Sequence, residues 1–143
     1  MKAFFTLLMP LLLSFITNDT LDTCNGFEQF VFGTGKESYK NLILEIEESN
    51  AQLYSANENA IKISNVQFEY IRISFIRNKL SNIEMATKNT TSASFLKVLK
   101  ARYGEPVKTQ KNFVWSGKNV TIIYEPYLHS KDAIIGFCSK KIK

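Results

Sequence analysis

Residues 66–87 read VQFEYIRISFIRNKLSNIEMAT. Val66, Phe68 and Tyr70 alternate with Gln67 and Glu69, the period-2 signature of a half-buried strand. The parity then changes, because Ile71, Ile73 and Phe75 are the next apolar positions and Arg72 and Ser74 lie between them. Two apolar residues in succession at Tyr70-Ile71 require the strand to change face, and a β-bulge at that point does so at least cost. Arg77-Asn78-Lys79 supplies an Asn for positive φ and predicts a tight turn. Leu80, Ile83 and Met85 then mark a return strand. Neither Gly nor Pro interrupts 61–87, so no ladder donor is lost. The pattern predicts the central hairpin of an antiparallel sheet, with 61–87 as its platform.

The remaining elements follow in chain order. Residues 26–32 (GFEQFVF) alternate weakly and predict a short first strand, ended by the turn Gly33-Thr34-Gly35. Residues 34–44 predict a short helix, with Thr34 as cap, Glu37 completing a capping box, and Tyr39, Leu42 and Ile43 on one face. The run 42–46 (LILEI) reads equally as the start of a strand. Two short strands are expected at 52–55 and 61–64. The clearest helix is 90–103: Thr90, Thr91 or Ser92 caps it, and Phe95, Leu96, Leu99 and Tyr103 form one stripe. Gly104 and Pro106 stop it. Strands then follow at 111–115, with Phe113 and Trp115 on one face, and at 120–125, with Val120, Ile122 and Tyr124 on one side. The last strand, 133–139, carries Ala133, Ile135 and Phe137 on one face and Cys138 on the other. Together these elements predict a single two-layer α+β domain. Its antiparallel sheet carries one or two helices on one face, in a tandem helix-plus-hairpin layout.

The N-terminus changes this picture. Lys2 precedes a run, 4–16, that is apolar except for Thr6, Pro10 and Ser14. That length is short for a membrane span and fits the apolar region of a secretory signal. A signal segment is expected within 1–23, with Thr17, Thr20 and Thr23 as candidates before the cut, and the α+β domain from 24 to 143. The protein is therefore expected to be exported, to the periplasm, the cell envelope or the medium. The chain has two cysteines, and in an oxidising compartment Cys24 and Cys138 invite a disulfide. The alternatives are a lipid on Cys24, with Leu21-Asp22-Thr23-Cys24 as an imperfect lipobox, and two unpaired thiols. Any membrane association is expected only through the signal segment or such a lipid.

Charge and motifs exclude more than they assign. From residue 88 onward there are 11 Lys and Arg against 3 Asp and Glu. Apart from Lys140-Lys141-Ile142-Lys143 at the tail, the lysines are scattered singly and are not interleaved with Arg or stacking aromatics, so nucleic acid is not an expected partner. Glu45, Glu47 and Glu48 lack the spacing of a calcium loop and read as solvated surface. The one histidine, His129, has no His or Cys at metal-ligand spacing, and no nucleophile motif accompanies Ser130. A single Gly-x-Gly is not a phosphate loop. No cofactor, metal or catalytic residue is expected. A small hydrolase using His129 is the least favoured reading. Asn18, Asn89 and Asn119 match the N-glycosylation pattern, which matters only in a eukaryotic secretory route.

The helix-ending Tyr103-Gly104-Glu105-Pro106, the aromatic-Ser-Gly hairpin at Trp115 to Gly117 and the repeated helix-then-hairpin order resemble small exported bacterial α+β envelope domains. The layout is similar to β-lactamase-inhibitor-like domains and to the small lipoproteins of outer-membrane assembly. The resemblance spans roughly residues 26–139 and implies a one-sided sheet without catalysis, binding a protein or glycan partner of the envelope through aromatic residues on its open face. Trp115 and Tyr124 are the speculative candidates for that contact. A surface without an exposed aromatic patch would overturn that aromatic contact. The alternative is a lipid-anchored structural or assembly component of the envelope.

Overall fold

The computed structural model describes residues 19–143. The apolar part of the expected signal segment, and Asn18, lie outside the described residues.

Eight strands form one antiparallel sheet, and the protein is an α+β domain built on it. Two four-stranded meanders run in sequence. The first is β3 (Ile43–Glu47), β4 (Ala51–Ala56), β5 (Phe68–Ile76) and β6 (Lys79–Thr87). The second is β7 (Val107–Lys108), β8 (Phe113–Ser116), β9 (Val120–Pro126) and β10 (Ala133–Ser139). The meanders join through their last strands, giving the order β3-β4-β5-β6-β10-β9-β8-β7. Helix α2 (Ser92–Tyr103) connects them. A four-residue α1 (Asp19–Asp22) and a small hairpin of β1 (Gly26–Phe27) and β2 (Phe30–Val31) precede the sheet.

The β5–β6 hairpin is built as its sequence requires. Arg77 and Asn78 both have positive φ (50° and 57°), the two-residue turn whose twist matches the strands. The change of parity is real, but the register shifts between Phe68 and Tyr70, so Glu69 rather than the Tyr70-Ile71 step absorbs the extra residue. A second shift places Ser81 in a bulge opposite Ser74 and Phe75, which lets Leu80 and Ile83 point to the same side.

One face of this sheet is the core. Across it run Tyr54, Ile73, Ile83, Phe137, Ile122 and Trp115, partnered in register from β4 to β8, and all six are buried. Phe95 and Leu99 of α2 lie on them, fully buried. Burying each such side chain contributes about 1.5–3 kcal/mol. Phe27 from the small hairpin stacks on Phe137 with ring centroids 4.5 Å apart. Trp115 donates its indole N–H to Gly104 O at 2.8 Å, tying β8 to the end of the helix. Gly104 sits at φ 83° and stops α2, with its N–H bonded to Lys100 O.

Three local expectations are corrected. Residues 34–44 are not an α-helix: only the 3-10 turn Lys36–Ser38 forms, and the strand reading of 42–46 holds as β3. The Thr34 hydroxyl bonds Val31 O (2.6 Å) and the Tyr39 hydroxyl instead of capping a helix. Asn41, at φ 60°, interrupts any continuation. Residues 61–64 are not a strand; Ile61, Ile63 and Val66 are buried from an irregular loop. Ser64 stands at φ 47° there, and the platform begins at Phe68. Thr91, the N-cap of α2, directs its hydroxyl to Gln67 and Lys88 rather than to the helix.

Candidate functional site

The opposite face of the sheet spans all eight strands. Alternation along the strands puts Ile46, Leu53, Ser74, Asn82, Cys138, Thr121 and Ser116 in one row across seven strands. A second row is Ile43, Ser55, Arg72, Glu84, Gly136, Ile123, Val114 and Val107, spanning all eight. The helix, the small hairpin and the 57–67 loop pack on the other side.

This face is apolar at its two ends and polar at its centre. At one end Ile43 and Ile46 are 68% and 52% exposed, and at the other Val107 is 72% exposed. In the centre Arg72 lies over the Tyr70 ring, 4.4 Å from its centroid. Its Nε is 3.0 Å from Glu45 Oε2, off the N–H axis, so the contact is ionic rather than a directed hydrogen bond. The Tyr70 hydroxyl donates to Glu84 Oε1 at 3.0 Å. Burial, then that bonded carboxylate, push the Tyr70 phenol well above the usual tyrosine range. Burial also raises Tyr127, with Glu69, Asp132 and Glu84 acting in the same direction. These groups can hold a partner by hydrogen bonds, charge and apolar contact. They include no nucleophile paired with a base.

The residues expected at the site lie elsewhere. Trp115 and Tyr124 belong to the covered face, 2% and 4% exposed, so neither meets a partner on the open one. Their parity is that of Ile122 and Phe113, and α2 lies over it. No aromatic residue is among the exposed large hydrophobics of the described chain, so the aromatic patch expected on the surface is not present. The aromatic side chains are core: Phe27, Phe68, Phe75, Phe95 and Phe137 pack against one another or against tyrosines.

The two cysteines are free, and no disulfide joins them. The reason is parity. Cys24 is in the core cluster on the helix side, with its Sγ donating to Gly26 O at 3.2 Å. Cys138 points to the open face beside Asn82 and Thr121. The sheet stands between them. His129 is exposed in the loop between β9 and β10. The nearest acid in sequence, Asp132, is engaged by the Thr87 hydroxyl (3.0 Å) and the Thr90 N–H (3.1 Å), so no His–acid pair is assembled there. Among the described residues no group of His, Cys, Asp and Glu has the geometry to hold a metal.

Sequence reasoning missed the row Arg72, Glu84, Tyr70 and Glu45. The signal was present, as polar residues recurring at every second position of a hydrophobic hairpin. It gave a face but not its neighbours, because strand order is not local information. Compared with protein-family models, curated proteins and solved structures, the chain finds no match.

Proposed function

We propose that this protein is a non-catalytic, exported binding module of the cell envelope that engages a protein partner through the uncovered face of its sheet. One observation carries this reading: eight strands present a continuous face with apolar ends and a charged centre, and no described element lies on it. Exposed apolar side chains beside charged groups on an uncovered face suit a protein interface, which combines apolar and polar contacts. The resemblance to inhibitor-like envelope domains implied aromatic contacts, which the described surface lacks, so the reading rests on the aliphatic ends and charged centre of the face.

Export rests on the N-terminal segment, and the packing of α1 bears on where it is cut. Asp22 Oδ1 accepts the Lys118 N–H at 2.9 Å, and Asp22 O accepts the Asn119 side-chain amide at 3.1 Å. Leu21 packs against the core, and Gly117 approaches it so closely that a Cβ would meet Leu21 O at 2.5 Å. Cuts after Thr17 or Thr20 keep Leu21 and Asp22 and so leave these contacts in place, whereas a cut after Thr23 removes them. A lipid on Cys24 would require its thiol to leave the core. Mass spectrometry of the secreted protein is expected to find Leu21 and Asp22 retained; a mature chain starting at an acylated Cys24 would restore the lipid-anchored alternative.

The binding reading is tested by affinity capture with paired variants. Ile123→Arg places a charge on the open face, and Lys97→Glu reverses one on the exposed side of α2. A partner held by the wild type and by Lys97→Glu, and lost with Ile123→Arg, supports the proposal. Equal capture by all three contradicts it.

A further inference from the structure

A second feature lies on the helix side of the molecule, at the corner where the chain enters β3. A groove of about 550 Å³ runs between two loops, within the range of small-ligand sites. One wall is 38–42 with Gln29 and Phe30; the other is 56–62. Gln29 bridges the walls, its amide donating to Ala60 O at 2.7 Å. The Phe30 and Tyr39 rings, 5.3 Å apart, are part of its lining.

The chemistry of the lining is one-sided. Lys40 and Lys62 both face the groove, and neither pairs with a carboxylate among the described residues. No Asp or Glu lines it. The side chains of Ser38, Asn41 and Asn59 also have no partner among the described residues. Asn57 accepts the Asn59 N–H through Oδ1 at 2.8 Å, which leaves its amide N–H₂ free to donate. Two ammonium groups, three amides and a hydroxyl are thus gathered beside aromatic rings, a donor-rich surface. The contrast with the neighbouring groove around Tyr54 is instructive. There Lys36 and Arg77 share the lining with Glu47 and Glu48, so charge is balanced within the protein.

We propose that the Lys40–Lys62 groove binds an anionic carbohydrate. The ligand's hydroxyls accept from and donate to the amides and Ser38. Its carboxylate meets the two lysines in charge-assisted hydrogen bonds. A ring face lies against the aromatic part of the lining. The proposal is independent of the open sheet face, which lies on the other side of the strands.

The test is titration calorimetry and amide chemical-shift mapping on the purified protein, with tetragalacturonate as probe. Maltotetraose and inorganic phosphate serve as comparisons. The expected result is saturable binding of tetragalacturonate, with shifts concentrated in 38–42 and 56–62. Loss of one charge-assisted contact weakens binding by about tenfold, so Lys40→Ala and Lys62→Ala are each expected to do so. Lys97→Ala and Ile123→Arg should bind as the wild type does. Added salt should weaken the interaction. The proposal is overturned if tetragalacturonate does not bind, if maltotetraose binds as tightly, if phosphate alone binds as tightly, or if the lysine variants bind unchanged.

Discussion

Phe137 and Cys138 are neighbours on β10, yet they lie in different environments. Phe137 has no solvent exposure and stacks on Phe27. Cys138 is half-buried on the open face, where burial and the nearby Glu84 raise its thiol pKa. The same alternation separates Ile122 from Ile123 and Ile83 from Glu84. One face is sealed by α2, the small hairpin and the 57–67 loop. The other has its most exposed apolar residues toward its ends and an ionic centre around Arg72. The difference teaches where stability and recognition reside in a one-sheet domain: the sealed face holds the fold together, and the open face is free to carry another role.

Changes that enter the sealed face should have the largest effect. Phe137→Ala removes a fully buried ring and is expected to cost about 3–5 kcal/mol, measured by urea unfolding. Cys138→Ala, one residue away, should change stability by less than about 1 kcal/mol. Equal costs at the two positions would remove the distinction between the faces.

A smaller effect is expected where the two meanders and the helix meet. Asp132 accepts from the Thr87 hydroxyl and the Thr90 N–H at 3.0 and 3.1 Å, next to the start of α2. Asp132→Ala should lower stability by about 1–2 kcal/mol, read from the same unfolding curves. A neutral result would mean that the β9–β10 loop does not hold the helix.

Alkaline pH should act on both faces. Tyr70 and Tyr127 on the open side and Tyr103 and Tyr124 on the covered side all have phenols raised, chiefly by burial. A group whose folded pKa is raised is neutral longer in the fold than in the unfolded chain. Its contribution is therefore complete below about pH 10, the unfolded tyrosine value, and is lost as pH rises through the folded values. Thermal unfolding should shift to lower temperature above that pH. Absorbance titration should find Tyr70, Tyr103, Tyr124 and Tyr127 ionising late. The smallest effect concerns the thiols: adding reductant should leave the unfolding midpoint unchanged, because Cys24 and Cys138 are free. A marked fall would reveal a bridge between them.

Much of the fold was legible because it is periodic. The β5–β6 hairpin, α2 with its Gly104 stop, and β8 to β10 all follow from spacing and turn chemistry. The bulge was displaced because the step from Phe68 to Ile71 specifies one extra residue without saying which. Residues 34–44 misled because a capping-box pattern is local, whereas Thr34 and Tyr39 satisfy each other and the Asn41 φ of 60° ends the run. Trp115 and Tyr124 were assigned to the wrong face because aromatic residues suit a core and an interface equally. Only the position of α2 distinguishes the two. The Lys40–Lys62 groove has no sequence signal, since its walls are about twenty residues apart and meet only when β3 pairs with β4.

Trp115 is the most direct probe of the two-faced sheet, because it is the protein's single tryptophan and a one-residue slip in β8 would move it to the open side. Fluorescence with acrylamide quenching reads its surroundings. The expected result is blue-shifted emission with little quenching in the native state, both changing to solvent-like values on unfolding. Native emission already like that of free tryptophan, with strong quenching, would contradict the assignment of the faces.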